Sequence, residues 1–507
     1  MSKYKKIIPT ALFSGISAIT TYFAYDGYIK SSTMSNFELA ASRLGFNGYK
    51  NISYQEHQEA LLKELQIAGY FQPEKVWEDI NRMGVDDPEI AFKKTYIAIK
   101  KSKADRDPSE FNAKILRKNL GKDDALDEQD VMDLLLYKSQ HAFGRKPGQE
   151  RNELTSEGWM NKYKEEYFAA AKILRLIDRE EPEQLVYDGA WIAGASRIGL
   201  MARIIDYYYI LSKYNIKVIG ETEVLAGMRL LWANIDGISP SVRDKLLEAH
   251  KTKIDLDILD ISLPVGEDNA RVEEGREYMF GLAERRGIKL NQLSPFVQYK
   301  IKEDCPPGYF PGRVYPNYAD GESRKLTETL MSQDLISNLS NNTVTIIDTL
   351  SDQHQRPTTA STARDVAIKF VENITNGKYG DKKEFIILFE TNNPYIERQT
   401  IATQREVDKV VGNYNKLNNT QYKIKVEGVG FKCKQDVATV HSELGALVAE
   451  KWKTAVEIYP ENLQLKRSIE SLQFQTRDNS GSVSPMPDMS KISLSGNFFQ
   501  DLFDEYL

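Results

Sequence analysis

The chain has 507 residues and a formal net charge of −6, with 41% hydrophobic and 28% charged residues. This composition is typical of a soluble globular protein, and the length predicts two or three domains. A negative net charge without a dense basic stripe argues against nucleic-acid binding. The two cysteines, Cys305 and Cys433, fit no metal-ligand or disulfide framework, and whether they pair stays open. The histidines form no HExxH or paired motif, so we expect no metal site, and no cofactor is evident.

The N-terminal residues 1–35 are predicted to be a membrane anchor or an export segment. Residues 7–25 (IIPTALFSGISAITTYFAY) carry no charge, follow a lysine-rich start and just reach the length of a membrane span. No small-residue cleavage site follows, which favours an uncleaved anchor over a removed signal peptide. Lysines on the N-terminal side predict that the bulk of the chain lies outside the cytoplasm. The alternative is a buried hydrophobic helix.

Residues 36–183 are predicted to form a helical domain. Apolar residues recur at three- and four-residue spacing in segments such as LLKELQIAGYF, VMDLLLYKSQHAF and WMNKYKEEYFAAAKILRLI. Turn-forming pairs such as Asp107-Pro108 and Pro147-Gly148 separate these segments, and no strand pattern appears. The acidic runs fit no calcium-loop template, so we interpret them as helix caps or solvated faces.

Residues 184–460 are predicted to form an α/β domain, because strand and helix patterns alternate along them. The strand candidates are LVYDGAWIAG, KVIGETEVLAG, TVTIIDT, EFIILFE and YKIKVEGVG. The helix candidates are IGLMARIIDYYYILSKY, ARVEEGREYMFGLAERRGI, TARDVAIKFVENIT, ERQTIATQREVDKVVGNY and VATVHSELGALVAEKWKTAV. This alternation implies parallel pairing through right-handed crossovers. The sequence therefore predicts a doubly wound, mostly parallel five-stranded sheet of the Rossmann-like class, preceded by an all-helical domain.

Two insertions interrupt this predicted domain, and a polar tail follows it. Residues 232–270 contain a polar helix, and residues 303–325 are rich in Pro, Gly and Tyr, which favours a flap over the sheet edge. Residues 461–507 are polar and rich in helix breakers, so we expect disorder there. The tail ends in NFFQDLFDEYL, which is either a docking peptide for a protein partner or a loosely packed terminal helix.

Ligands of open α/β sheets bind beyond the carboxyl ends of the strands, so the residues that follow each strand form the candidate site. Most of the predicted strand ends carry small or hydroxyl residues beside an arginine or an amide. Helix N–H groups, hydroxyls and guanidinium groups are the donors that bind phosphate or another anion. We therefore predict one shared ligand-binding pocket formed by Gly194, Ser196, Arg197, Gly227, Arg229, Arg356, Thr358, Thr362, Asn392 and Arg398.

Each of these turns also has a purely structural interpretation. The turn GASR lacks the GxGxxG fingerprint, residues 362–365 fit a helix cap, and Asn393-Pro394 is ordinary turn chemistry. Arg197, in the first turn of its helix, opposes the helix dipole and needs a compensating partner. Several guanidinium groups can converge around a bound anion or around buried carboxylates, and the sequence does not choose between these two arrangements.

His354 and Asp348 are the candidates for acid–base catalysis near this edge. His354 lies two residues before Arg356 in a loop and could act as a general base, or it could be a solvated loop histidine. Asp188 and Glu223 fall inside predicted strands, where a structural role is the alternative. No Ser-His-Asp order and no convincing carboxylate pair appears, so whether the chain is an enzyme stays open.

A succession of short motifs runs through residues 185–435: D-G-A-W-I-x-G-A-S-R, A-G-M-R, R-P-T-T-A-S-T-A-R-D and T-N-N-P-Y-I-E-R-Q, with Arg203 in the helix after the first. In this succession the chain resembles the SanA/YdcF/ElyC family. The resemblance implies a Rossmann-like fold behind an N-terminal membrane anchor and a role in the cell envelope, without a settled reaction. The matching positions are Gly227, Arg229, residues 358–364 and Arg398, with Met228 where the family usually has a small residue.

Two functions are compatible with these patterns. The first is an envelope-associated α/β protein that binds, and could process, a phosphorylated or nucleotide-like small molecule. The second is a non-enzymatic secreted or surface interaction protein of a bacterium, with a degenerate ligand site. In that case the helical domain, the flap and the acidic tail would carry the contacts with a protein partner.

Overall fold

A computed structural model of the chain describes residues 36–67, 158–227, 231–259, 269–288, 326–340, 344–349 and 357–458, together with Arg229 and positions 131, 132, 135, 136 and 139. The predicted anchor 7–25, the flap 303–325, the tail 461–507 and Cys305 lie outside these residues. In the part of the chain that the structure describes, no helix is both long and apolar enough to cross a membrane.

The described residues contain seven strands and twelve α-helices. The strands are β1 Val186–Tyr187, β2 Gly189–Ala193, β3 Lys217–Val218, β4 Thr222–Gly227, β5 Val344–Thr349, β6 Glu384–Asn392 and β7 Lys423–Phe431. The helices are α1 Asn36–Arg43, α2 Tyr54–Ile67, α3 Gly158–Lys162, α4 Lys164–Ile173, α5 Arg197–Lys213, α6 Ala233–Asp236, α7 Pro240–Thr252, α8 Asn269–Arg285, α9 Glu328–Leu339, α10 Thr359–Thr375, α11 Ile396–Asn418 and α12 Val437–Ile458, with a 3₁₀ turn at Leu256–Ile258.

The main sheet has five parallel strands in the order β5-β4-β2-β6-β7. The chain runs from β2 outward through β4 to β5, then returns to the other side of β2 for β6 and β7. The strand order therefore reverses between β2 and β6. This is the doubly wound arrangement that the alternation of strands and helices predicted, and the reversal marks the place where such folds bind ligands.

Helices cover both faces of the sheet, so its strands are buried on both sides. In β2, Ile192 packs into a core shared with α5 and α9, whereas the preceding Trp191 faces the opposite core with α10 and α11. Residues that alternate between two buried faces give the continuous apolar runs from which the strands were predicted.

Two predicted strands are each divided in the structure. LVYDGAWIAG becomes β1 and β2, and KVIGETEVLAG becomes β3 and β4; β1 and β3 pair with each other in a separate two-stranded ribbon. The break between β1 and β2 lies at Asp188, whose carboxylate accepts a hydrogen bond from the Ile386 backbone at 2.8 Å and pairs with Lys382. Asp188 thus has a structural role at the amino end of the sheet.

Helix α9 was not among the predicted elements. It follows residues 303–325, which were predicted to be a flap, and lies directly before β5. Four of its apolar residues are buried in the core against the sheet: Met331, Leu335, Ile336 and Leu339. Spacings of four, one and three residues place them on one helical face. The helix matters because its first residue, Glu328, enters the candidate site.

The described residues between 36 and 179 form helices α1–α4 and no strand beyond one isolated bridge between Tyr49 and Ile52. These helices share a hydrophobic core with α12, the last helix of the α/β part. Polar contacts also join the helical part to α12: Tyr167 contacts His441 at 3.1 Å, and the Lys451 ammonium donates to the Gly45 carbonyl at 3.3 Å. The helical part and the α/β part are therefore packed through α12.

Candidate functional site

The turn between β2 and α5 lies next to the reversal of strand order. β2 ends at Ala193, Ser196 is the N-cap of α5, and the intervening Gly194 and Ala195 are half-buried. A Cβ on Gly194 would lie 2.3 Å from the Leu225 carbonyl oxygen and 2.4 Å from Glu328 Oε1. Glycine is required here because β4 and the Glu328 carboxylate approach the backbone so closely.

Asp236 occupies the N-terminus of α5. This residue ends helix α6 and is fully buried. Its Oδ1 accepts hydrogen bonds from the Arg197 backbone N–H at 3.1 Å and from Arg229 Nη2 at 2.8 Å. Its Oδ2 accepts from Arg229 Nη1 at 2.9 Å and from the Trp232 backbone N–H at 2.8 Å. A carboxylate of the protein itself therefore lies where a helix N-terminus and an arginine fork would bind an external anion. We call Asp236 with these three donor residues the Asp236 pocket.

Arg229 has a second acidic partner in this pocket. Its Nε lies 3.3 Å from Glu328 Oε2, and the Arg229 side chain is almost fully buried. Burial by itself would lower the pKa of Arg229, but the charges of Asp236 and Glu328 outweigh it and raise that pKa. Arg229 is therefore a permanently charged, internally neutralised side chain.

The other predicted arginines with described side chains are also paired with carboxylates. Arg197 Nη1 lies 3.0 Å from both oxygens of Glu274 on α8, and its guanidinium stacks on the Tyr278 ring at 3.5 Å. A cation in the first turn of α5 opposes the helix dipole, and the Glu274 carboxylate compensates its charge. Arg398, in the first turn of α11, pairs with Glu443 on α12.

Asn392 is joined to the turn after β2 by a buried arginine. Arg203 on α5 donates to Asn392 Oδ1 at 2.9 Å, and its Nη1 donates to the carbonyls of Ala193 and Gly194 at 2.8 Å each. Arg203 therefore spans the ends of β2 and β6, across the point where the strand order reverses. Its guanidinium lies in the position that a ligand takes in an open doubly wound sheet.

The hydroxyl residues after β5 serve helix α10. Thr358 accepts a hydrogen bond from the Ser361 backbone, and Ser361 accepts one from the Thr358 backbone, which is a complete capping box. The Thr362 hydroxyl donates to the carbonyls of Thr358 and Thr359. A Cβ on Gly227 would lie 2.7 Å from Pro357, so this proline covers the end of β4.

The acid–base candidates are only partly described. Asp348 is exposed on edge strand β5 and accepts a hydrogen bond from Thr329. His354 and Arg356 lie outside the described residues. Glu223 pairs with Lys369 on the face of the sheet covered by α10. Among the residues that the structure describes, no group of histidine, cysteine and acidic side chains has the arrangement of a metal site.

Only part of the predicted set is brought together, and through partners of the protein itself, since Thr358 and Thr362 serve the start of α10 and Arg398 pairs with Glu443. Arg197 and Arg229 meet around Asp236, and Asn392 reaches the same turn through Arg203. The acidic partners Asp236, Glu274 and Glu328 were not predicted, since each lies in an insertion or in a helix that carries no motif. The one available signal was physical: converging guanidinium groups require either an anion or buried carboxylates.

Comparison with known proteins adds no relative to this description: no family model, no curated protein and no solved structure matches the chain.

Proposed function

We propose that the chain is a non-enzymatic interaction protein, built on a Rossmann-like domain whose ligand edge is closed by its own side chains. The observation that carries this proposal is the fully buried Asp236 at the N-terminus of α5. The ends of the neighbouring strands are filled in the same way, by Glu328 over β2, by Pro357 over β4 and by Arg203 between β2 and β6.

An external anion could enter the Asp236 pocket only by displacing Asp236. Four donors bind this carboxylate, and displacing it would break its ion pair with the buried Arg229. Separating a buried pair of this kind costs about 3–5 kcal/mol, which corresponds to about two to four orders of magnitude in affinity. The geometry therefore favours a pocket that maintains the fold over one that exchanges phosphorylated ligands.

The proposed setting is the bacterial envelope or surface. Two sequence features support it: the uncharged segment 7–25 after a basic start, and the resemblance to the SanA/YdcF/ElyC family. A membrane-anchored or exported chain would present the α/β part and the acidic peptide at 497–507 to a protein partner outside the cytoplasm. Comparing membrane and soluble fractions of cells expressing the chain with and without residues 1–30 tests the setting.

A second candidate function is the binding of an anionic or phosphorylated small molecule on the outer side of the same turn. One observation favours it: Ser196 is half-buried, and its hydroxyl makes no capping hydrogen bond although it stands at an N-cap. The nearby Arg197 Nε also has no hydrogen-bond partner in the described structure. Such a ligand would contact the turn without displacing Asp236.

A thermal-shift titration separates the two functions. The full chain in mild detergent is titrated with phosphate, ADP and a UDP-sugar, in parallel with Ser196→Leu, which places an apolar side chain on the half-buried turn. The interaction-protein proposal predicts no saturable rise in melting temperature for either protein. A saturable rise that disappears in Ser196→Leu would contradict it and support the second candidate.

A further inference from the structure

The loop between α1 and α2 joins the helical part to the rest of the chain. We call residues 44–53 the α1–α2 loop. The Lys451 ammonium on α12 donates to the Gly45 carbonyl of this loop at 3.3 Å. Further along the loop, the Tyr49 hydroxyl donates to Glu183 at 3.2 Å. The α1–α2 loop therefore contacts both α12 and the segment that leads into β1.

His57, near the start of α2, holds this loop in place through its ring. Its Nδ1 lies 3.1 Å from the Gly48 backbone nitrogen, and only an unprotonated Nδ1 accepts a hydrogen bond from that N–H. His57 is therefore neutral, with its proton on Nε2. The side chain is almost fully buried, and its ring lies 5.5 Å from the Phe46 ring in an edge-on contact. In the described structure, the buried Nε2 has no hydrogen-bond partner.

Three charged side chains act on His57 from other parts of the chain. Glu397 on α11 favours a proton on the imidazole, whereas Lys451 on α12 and Arg175 after α4 oppose it. The Glu397 carboxylate lies 2.6 Å from the Lys451 ammonium, so its charge is already compensated. Burial is the largest influence, and the net effect lowers the pKa of His57 from 6.5 to about 4.

A second titratable group on α2 has the opposite dependence on pH. Glu64 is fully buried and shares a hydrogen bond with Tyr167, and burial raises the pKa of Glu64 well above 4.5. The packed state therefore loses stability through Glu64 as the pH rises, but loses stability through His57 as the pH falls. The effect of His57 has to be measured as a difference between proteins that share Glu64.

We propose that His57 makes the packing of the α1–α2 loop against α12 sensitive to acid. A proton on Nδ1 removes the acceptor of the Gly48 N–H and places two donors against each other. It also adds a buried positive charge near Lys451 and Arg175. Opening of the loop exposes the imidazole to water and removes both costs, so protonation favours the open loop. The proposal goes beyond the interaction function proposed above and does not depend on it.

The pH range of this effect follows from the two pKa values of His57. The stabilisation that neutral His57 provides is fully present above the unfolded value of 6.5. It decreases as the pH falls below 6.5, and it decreases no further below about 4, where the closed loop takes up the proton as well. Between pH 7 and pH 5, His57 alone is expected to raise the population of the open loop at least about tenfold.

Hydrogen exchange of the α1–α2 loop tests the proposal in the full chain. Exchange is followed by mass spectrometry at pH 7 and pH 5 in the unaltered chain and in His57→Asn, whose amide oxygen accepts the Gly48 N–H but does not titrate. Dividing the two rates at each pH cancels the chemical exchange rate and the contribution of Glu64. The ratio of the unaltered chain to the variant is expected to rise at least about tenfold from pH 7 to pH 5. A ratio that is the same at both pH values would overturn the proposal.

The matched control is His250→Asn. His250 on α7 is half-buried, burial lowers its pKa, and its ring lies 6.1 Å from that of Tyr208 on α5. The ratio of loop exchange between the unaltered chain and His250→Asn is expected to stay constant from pH 7 to pH 5. An equal rise in the two histidine comparisons would overturn the proposal, because the loop would then respond to acid without a specific role of His57.

A second comparison applies if His57→Asn does not fold. It uses Glu64→Gln, which removes the opposing titration, and compares two loops of the same protein. The reference loop is 415–422 at the end of α11, where the Asn415 side chain accepts the Tyr422 backbone N–H at 2.9 Å. Exchange of the α1–α2 loop relative to the reference loop is expected to rise at least about tenfold from pH 7 to pH 5. A constant relative rate would overturn the proposal.

Discussion

Two pockets at the carboxyl edge of the sheet hold opposite arrangements of charge. In the Asp236 pocket, one carboxylate lies among donors that include the Arg229 guanidinium. In a second pocket beyond the ends of β6 and β7, which we call the acid pocket, the Arg179 guanidinium lies among Asp206, Asp255, Asp257 and Glu390. Both occupants belong to the chain itself, and both are almost fully buried.

The two pockets differ in how completely hydrogen bonds and opposite charges neutralise their buried acidic groups. Each oxygen of Asp236 accepts two hydrogen bonds, and Arg229 has carboxylates on two sides, so the first pocket is balanced. In the acid pocket, by contrast, three carboxylates bind one guanidinium, and the fully buried Glu390 shares a hydrogen bond with Asp206. The Asp236 pocket is therefore neutralised by ion pairs alone, whereas burial and Asp206 raise the pKa of Glu390 in the acid pocket well above its usual value.

The largest expected effect follows from emptying the balanced pocket. Asp236→Ala leaves Arg229 buried with one acidic partner fewer, and we expect it to lower the free energy of unfolding by about 3–5 kcal/mol. The matched control is Arg243→Ala, because Arg243 is 38% exposed and lies 3.6 Å from Glu274, so its loss should cost less than about 1 kcal/mol. Calorimetric melting of the three proteins checks this, and similar losses for both variants would show that the Asp236 pocket is not special.

Removing an acidic group from the acid pocket should instead raise the free energy of unfolding. Glu390 keeps its proton in the folded state, whereas the unfolded chain loses it above the ordinary value of 4.5. The folded state therefore loses relative stability as the pH rises above 4.5, and Glu390→Gln removes this loss. We expect the variant to gain at most about 3 kcal/mol over the unaltered chain at pH 7.

The same variant should gain little at pH 4.5, where Glu390 is protonated in the folded state and still about half protonated in the unfolded chain. Melting temperatures measured from pH 4.5 to 7.5 check this dependence, with Glu384→Gln as the control because Glu384 is 59% exposed. A constant difference between Glu390→Gln and the unaltered chain across this range would contradict the account of the acid pocket.

A smaller effect separates two hydroxyl groups at the same edge. Thr358 caps α10 through its side chain, whereas Ser196 stands at the N-cap of α5 without a side-chain hydrogen bond. We therefore expect Thr358→Ala to cost about 1 kcal/mol and Ser196→Ala less than about 0.5 kcal/mol. Parallel thermal melts check the order, and a larger loss for Ser196→Ala would show that its hydroxyl supports the fold.

The fold was predictable from sequence because its signals are local and repeated. Buried strands give continuous apolar runs, helices give a 3.6-residue period, and their alternation implies parallel pairing. The division of the first predicted strand at Asp188 was not predictable, because it depends on a backbone contact with Ile386 from a distant part of the chain. Helix α9 was not predicted for a different reason: it follows a segment without a periodic pattern, and its sequence mixes polar with apolar residues.

Three residues of the candidate site were predictable, but their partners were not. The strand ends pointed to Arg197, Arg229 and Asn392, and the structure places these residues around the reversal of strand order. Their partners Asp236, Glu274 and Glu328 come from other elements, so tertiary packing alone decides that the guanidinium groups are neutralised internally. Arg179 had no sequence signal, since a single arginine in a connecting segment is ordinary.

The most direct test of the central claim is chemical rescue of Asp236→Ala. Formate supplies the missing carboxylate at the N-terminus of α5 beside Arg229, and sodium chloride at equal ionic strength is the control. If Asp236 occupies an anion site from within, formate raises the melting temperature of Asp236→Ala saturably above that in chloride and leaves the unaltered chain at its chloride value. Equal responses of the two proteins to formate, or no response of the variant, would contradict the claim.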